Sequence, residues 1–131
     1  MPGDVKAFLE APRFAVVGAS VDRDKYGNKV LRCYQQNGRP VVPVNPRQTE
    51  IEGLVAFPSL TDVGGSDLGV SIITPPPVTE RVVDEAIALG IRQLWMQPGA
   101  ESAPAIARAE AAGLNVIHSG PCLLVVLGFR E

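Results

Sequence analysis

The chain has 131 residues, 46% of them hydrophobic and 20% charged, with a formal net charge of −2. This composition excludes a disordered polyelectrolyte and a chain basic enough overall to hold nucleic acid. No apolar run approaches the ~18 residues of a membrane span. The length fits one domain, residues 1–131, large enough to bury a core without staples.

In chain order, residues 4–10 predict a short leading helix. Phe14-Ala15-Val16-Val17 is a continuous apolar run and predicts a strand buried on both faces. Gly18-Ala19-Ser20 then leads to a helix beginning near Gly27 or Asn28, on which Tyr26, Val30, Leu31 and Tyr34 fall at helical spacing; Gly38 closes it. Val41-Val42-Pro43-Val44 is the second strand. Pro58-Ser59-Leu60-Thr61-Asp62 opens a one-turn helix before the third strand, Leu68 to Ile73. Val78, Val82, Val83, Ala86 and Ile87 mark a helix closed by Gly90. Gln93-Leu94-Trp95-Met96 follows as the fourth strand. Ser102 caps a helix over Ala103 to Ala112, with Pro104 in its first turn and Gly113 after it. Asn115-Val116-Ile117-His118 is the fifth strand. The alternation predicts an α/β fold: an open, doubly wound parallel sheet of about five strands, with helices on both faces in three layers.

Such sheets take ligands at the carboxyl ends of their strands, near the switch point. The five ends read Gly18-Ala19-Ser20, Asn45-Pro46-Arg47, Thr74-Pro75-Pro76-Pro77, Gln97-Pro98-Gly99 and Ser119-Gly120-Pro121. All are small or proline-containing, which lets a ligand approach the backbone. Free N–H groups where the first long helix begins favour an anion, although a tight strand-to-helix turn uses the same residues for its own geometry. A side chain placed at Gly18 is expected to push a ligand off the loop and leave the fold intact. Residues 1–47 hold eight basic side chains (Lys6, Arg13, Arg23, Lys25, Lys29, Arg32, Arg39, Arg47) against four acidic ones (Asp4, Glu10, Asp22, Asp24). A domain polarised in this way attracts a small polyanion. Lys29 and Arg32 read as solvated helix residues, and Arg47, directly after a strand end, as a phosphate contact. The dinucleotide fingerprint GxGxxG is incomplete here, and the second strand ends without a carboxylate. NAD is therefore disfavoured, while Arg47 leaves NADP open.

Catalytic groups are sparse, and none is assigned. The single histidine, His118, reads as a strand-end residue with a local hydrogen bond. Ser20 is not in a GxSxG turn. Cys33 and Cys122 are far apart and in no CxxC, so neither a disulfide framework nor a metal site is expected. Cys33 reads as helix core; Cys122 reads as a packing residue or as a thiol facing a ligand's thiol. Trp95 reads as sheet core. The apolar tail Leu123 to Phe129 is expected to cover the sheet edge or form a dimer contact. The start, Met1 to Lys6, lacks the order of a signal peptide, so a cytoplasmic location is expected.

Taken together, Val16-Val17-Gly18-Ala19-Ser20, Gly27-Asn28, Val44-Asn45-Pro46, Pro58-Ser59-Leu60, the proline-rich end of the third strand and Leu94-Trp95-Met96-Gln97-Pro98-Gly99-Ala100 resemble a known family. They cover roughly residues 13–125. The chain looks like the small CoA-binding proteins with a Rossmann-like fold, similar to the nucleotide-binding domain of the succinyl-CoA synthetase α subunit and of ADP-forming acyl-CoA synthetases. The resemblance implies binding of CoA or an acyl-CoA, without catalysis by the domain itself. It places Gly18, Ala19, Ser20 and Val21 at the phosphate-bearing end, with Lys25 and Asn28 beside them. Asn45, Pro46 and Arg47 flank the nucleotide. Thr74, Pro75, Pro76 and Val78 lie against adenine and ribose, and Gln97, Pro98 and Gly99 beside the pantetheine arm. It also implies a small-molecule nucleotide ligand, with a homodimer or docking onto a larger enzyme. Two alternatives are an NADP-dependent oxidoreductase and a non-catalytic subunit of a CoA-ligase-type enzyme. Many relatives follow a Cys with a Glu-His pair. Here Cys122 is followed by Leu123 to Phe129, so that pair and its role are missing.

Overall fold

The computed structural model describes residues 3–120 and 122–131. Met1, Pro2 and Pro121 lie outside it, and with them the last position of the fifth predicted strand end. Asp4 accepts from Ala7 N and caps α1 (Val5–Leu9). The first apolar run forms β1 (Arg13–Val17) and leads into α2 (Tyr26–Gln36), which buries Val30, Leu31, Cys33 and Tyr34 on one face. β2 (Val41–Val44) follows. Then comes a hairpin that sequence reasoning missed, β3 (Glu50–Ile51) and β4 (Leu54–Val55). Its turn places Glu52 at φ +50° and Gly53 at φ +79°, the double positive φ of a tight two-residue hairpin. Ser59 caps α3 (Leu60–Val63) by accepting from Asp62 N. The remaining elements are β5 (Leu68–Ile72), α4 (Pro76–Leu89), β6 (Gln93–Met96), α5 (Ala103–Ala111), β7 (Asn115–Ile117) and α6 (Leu123–Leu127).

Five strands form one parallel sheet in the order β2-β1-β5-β6-β7. The chain leaves β1 toward β2, then crosses back to lay β5 on the opposite side of β1. The switch point therefore lies between β1 and β5, and their carboxyl ends diverge there. Helices cover both faces. One face buries Ala15, Val70, Leu94 and Val116 beneath α3, α4 and α5. The other buries Phe14, Val16, Trp95 and Ile117 beneath α1, α2 and α6. On that second face Phe8 meets Trp95 edge-on at 5.3 Å between centroids, and Phe14 stacks on Tyr34 at 4.8 Å. Burial on both faces explains why the strands read as unbroken apolar runs rather than alternating ones. Trp95, fully buried, is sheet core as expected. No helix of the described residues is long and apolar enough to cross a membrane.

Two expectations need correction. The apolar tail does not cover the sheet edge: Leu123–Leu127 coils into α6 and packs on α2, with Leu123 fully buried. The β7 edge is met instead by the leading segment, where Asn115 and Asp4 exchange two hydrogen bonds of 2.7 and 2.8 Å. The opposite edge, β2, is continued by Phe57, whose N donates to Pro43 O while Asn45 N donates to Phe57 O. Proline is tolerated within β2 because the strand lies at an edge. Arg32 is not a solvated helix residue. It is 9% exposed, donates to Asn28 Oδ1 and Arg23 O, and lies 5.1 Å from the centroid of the Phe129 ring. Lys29 pairs with Glu131 at 3.0 Å.

Tyr34 and Ser71 share a 2.7 Å hydrogen bond, both fully buried, tying α2 to the centre of the sheet. Tyr34→Phe leaves the Ser71 hydroxyl buried without that partner, so urea denaturation is expected to show a loss of about 1–3 kcal/mol. An unchanged midpoint would contradict this role for the pair.

Candidate functional site

The loop after β1 is held by its own side chains before it reaches α2. Ser20 Oγ accepts from Asp22 N, and Asp22 Oδ1 accepts from Asp24 N, each at 3.0 Å. Lys25 then occupies the N-cap of α2 with no side-chain capping bond, and the first turn carries no acidic residue. The amide end of an 11-residue helix is thus left without a protein anion to meet it. Behind this loop three pieces of backbone meet. Gly18 has φ +96°, and a Cβ there would overlap the carbonyl oxygen of Ile73. A Cβ on Gly27 would overlap the carbonyl oxygen of Gly18. Glycine at both positions lets α2 and the end of β5 close on the end of β1.

This closure corrects the expectation for Gly18. The space its side chain would need belongs to the end of β5, so the residue serves the fold before it serves any ligand.

A cleft of about 660 Å³ opens over the β2-β1-β5 ends, within the range of small-molecule sites. Nine predicted site residues line it: Gly18, Ala19, Ser20, Lys25, Asn45, Pro46, Arg47, Thr74 and Val78. Ile73 and Thr74 also line a neighbouring hollow of about 270 Å³, together with Pro75, Pro98 and Gly99. Four predicted residues lie in neither. Val21 is 50% exposed on the outer loop, and Pro76 is exposed in the first turn of α4. Asn28 is fully buried, donating to Ser20 O and Glu52 and accepting from Arg32, so it braces the loop from behind. Gln97 is fully buried too; its Oε1 accepts from Tyr26 OH and Leu123 N. Asn45 does reach the cleft, but its amide is engaged: it donates to Ala19 O and accepts from Arg47 N, strapping the β2 end to the β1 end.

Charge in the cleft is narrower than the sequence count suggests. Arg13 pairs with Asp67, Arg23 with Glu52 and Lys29 with Glu131; Arg32 and Arg39 donate to carbonyl oxygens. The side chains of Lys25 and Arg47 have no hydrogen-bond or ion-pair partner among the described residues, and both line the cleft. The remaining charged residue there is Glu85, on α4. Sequence reasoning missed Val82 and Glu85, although both follow Val78 at i+4 and i+7 on one helical face. It also missed Tyr26, whose hydroxyl lies 2.6 Å from Cys122 Sγ. Burial, then the Cys122 hydrogen bond and charge, push the Tyr26 phenol far above its usual range, so it stays protonated. Burial, then the Cys122 charge, raise the Cys33 thiol to about 11. His118 lies at the β7 end, bonded to the adjoining Ser119 hydroxyl and 3.9 Å from Glu110. Among the described residues no group of three His, Cys, Asp or Glu could hold a metal ion.

Comparison with known proteins adds a family. The model of the CoA binding domain family matches residues 12–128. Among curated proteins, the chain is 28% identical over 115 residues to the uncharacterized protein YneT of Bacillus subtilis (strain 168), covering 87% of this chain and 85% of that one. It is 31% identical over 87 residues to the alpha subunit of the ADP-forming acetate–CoA ligase II of Pyrococcus furiosus. That match covers 65% of this chain but 19% of the ligase subunit. Among solved structures, a conserved hypothetical protein from Pyrococcus furiosus superposes with a TM-score of 0.82 at 38% identity, covering 87% of this chain and 97% of the other. The dinucleotide-forming acetyl-coenzyme A synthetase 1 of Ca. Korarchaeum cryptofilum, in complex with phosphate and ADP, superposes at 0.77 with 27% identity over 88% of this chain and 27% of the synthetase.

Gly18→Val combines a disfavoured positive φ with a backbone overlap, at about 1–3 kcal/mol for each. Thermal unfolding by circular dichroism is expected to show a strongly lowered midpoint or no folded protein. A variant as stable as the parent would place the pocket for that side chain in the cleft after all.

Proposed function

The chain belongs to the CoA binding domain family, and from that premise we propose that it binds CoA or an acyl-CoA in the cleft over the β2-β1-β5 ends, as a binding domain without catalysis of its own. One observation carries the reading. Two cations with no side-chain partner among the described residues, Lys25 and Arg47, and the start of α2, which has no side-chain cap, line one cleft at the switch point. Partnerless cations at an open helix N-terminus suit phosphate groups. Apolar surface at Val78 and Val82 suits a base. The adjoining hollow beside Pro98 and Gly99 continues along the same rim, where a long, thin arm would run. Residues 1–131 act as one unit in this reading. The ligase subunit of Pyrococcus furiosus is far longer than the stretch it shares with this chain, so any ligase chemistry would come from a larger enzyme on which the domain docks. Exposed Val125 and Val126 on α6 offer an apolar patch for such a contact or for a second copy.

Isothermal calorimetry with CoA, dephospho-CoA and NADPH tests this directly. CoA is expected to bind, and NADPH to bind more weakly. Arg47→Ala is expected to weaken CoA by about 10–100-fold, the loss of one charge-assisted contact of about 1.5–3 kcal/mol, and to weaken dephospho-CoA less. Equal losses on the two ligands would remove Arg47 from the extra phosphate. Absence of heat with CoA at high micromolar concentration would overturn the reading.

A further inference from the structure

Glu85 is out of place in a cleft built for a polyanion. It lines the same cavity as Lys25 and Arg47 but lies on α4, on the helical face of Val78 and Val82. Its carboxylate is held from one side. Oε2 accepts two hydrogen bonds from Thr61, at 3.1 Å from the backbone N and 2.7 Å from the hydroxyl. Thr61 N belongs to the first turn of α3, where backbone donors lack intrahelical partners. Both bonds make that oxygen an acceptor. The other oxygen, Oε1, has no hydrogen-bond or ion-pair partner among the described residues. The group is therefore fixed in orientation and keeps one acceptor free.

A carboxylate repels phosphate, so the phosphates belong with the cations and Glu85 with an uncharged part of the ligand such as its base. An acceptor beside the apolar surface of Val78 and Val82 meets the polar edge of a base stacked there. We propose that Glu85 is a specificity-determining residue whose Oε1 accepts a hydrogen bond from the exocyclic amine of the purine, so that the cleft selects adenine over an oxo-purine. This rests on the CoA reading of the cleft. With hypoxanthine in place of adenine, a carbonyl oxygen stands where the amine stood, and two acceptors face each other. A site built around a polar partner discriminates strongly against the ligand that lacks it.

Thr61 makes the substitution test sharp. In Glu85→Gln its two donors hold the amide oxygen, which turns the amide NH2 toward the base. The acceptor becomes a donor with the brace retained.

The experiment is calorimetry of the full chain with CoA and with deamino-CoA, in which hypoxanthine replaces adenine. The parent is expected to bind deamino-CoA at least tenfold more weakly. Glu85→Gln is expected to bring the ratio to one or invert it in favour of deamino-CoA. Thr61→Val, which keeps the carboxylate, is expected to retain the parent's preference for CoA. Equal binding of the two ligands by the parent would overturn the role of Glu85 and leave CoA binding standing. So would a Glu85→Gln variant that loses both ligands equally, as expected of a purely structural residue. Binding of neither ligand by a folded parent would overturn the reading of the cleft itself.

Discussion

The site depends on the close approach of three backbones at Gly18. The end of β1, the end of β5 and the first turn of α2 meet where neither Gly18 nor Gly27 carries a Cβ. A side chain at Gly27 would hold the helix away from the sheet, and one at Gly18 would push against the end of β5. With the helix held away, its amide end would no longer sit beside the strand ends and the cleft would lose one wall. Most other features act as supports for this junction. Asn45 ties the β2 end to Ala19, and Asn28 holds Ser20 from behind. Glu52, on the small hairpin, holds Asn28 and Arg23 in turn.

Those supports explain how electrostatics is distributed. Most of the basic residues in the first 47 positions are used to hold the fold, through carboxylates on other elements or through carbonyl oxygens. Lys25 and Arg47 differ in lining the cleft with no ion-pair partner among the described residues. A ligand phosphate would supply the missing partner. The same logic makes Glu85 informative: its brace to Thr61 orients an anion where the phosphates should not be. A cleft with cations at one set of elements and a fixed acceptor at another can both attract and orient an asymmetric ligand.

Much of the architecture was legible in the sequence. The continuous apolar runs marked all five sheet strands, and closing glycines such as Gly90, at φ +78°, marked where helices stop. The carboxyl ends of the strands were legible for the same reason, and nine of the expected site residues do converge on one cleft. What stayed hidden had specific physical causes. The β3–β4 hairpin has two residues per strand, too few for any periodicity. The run Leu123–Leu127 is five apolar residues with two adjacent valines, too short to show a helical period, and its helix is held by packing against α2. Asn28 and Gln97 stand at positions that look ligand-facing in one dimension, yet both side chains turn inward: Asn28 bonds Ser20 O, Glu52 and Arg32, and Gln97 Oε1 accepts from Tyr26 and Leu123 N. The fate of a polar side chain depends on which neighbours lack a partner, and spacing along the chain does not show that.

The central claim is that one switch-point cleft receives the ligand. It is tested most directly by titrating the isotope-labelled protein with CoA and mapping the backbone amide shifts. The account predicts saturable changes concentrated at Gly18 to Ser20, Tyr26 and Gly27, Asn45, Arg47 and Thr74, with the β7 end and α5 unmoved. Changes centred on the exposed valines of α6, or spread without saturation over the surface, would contradict it.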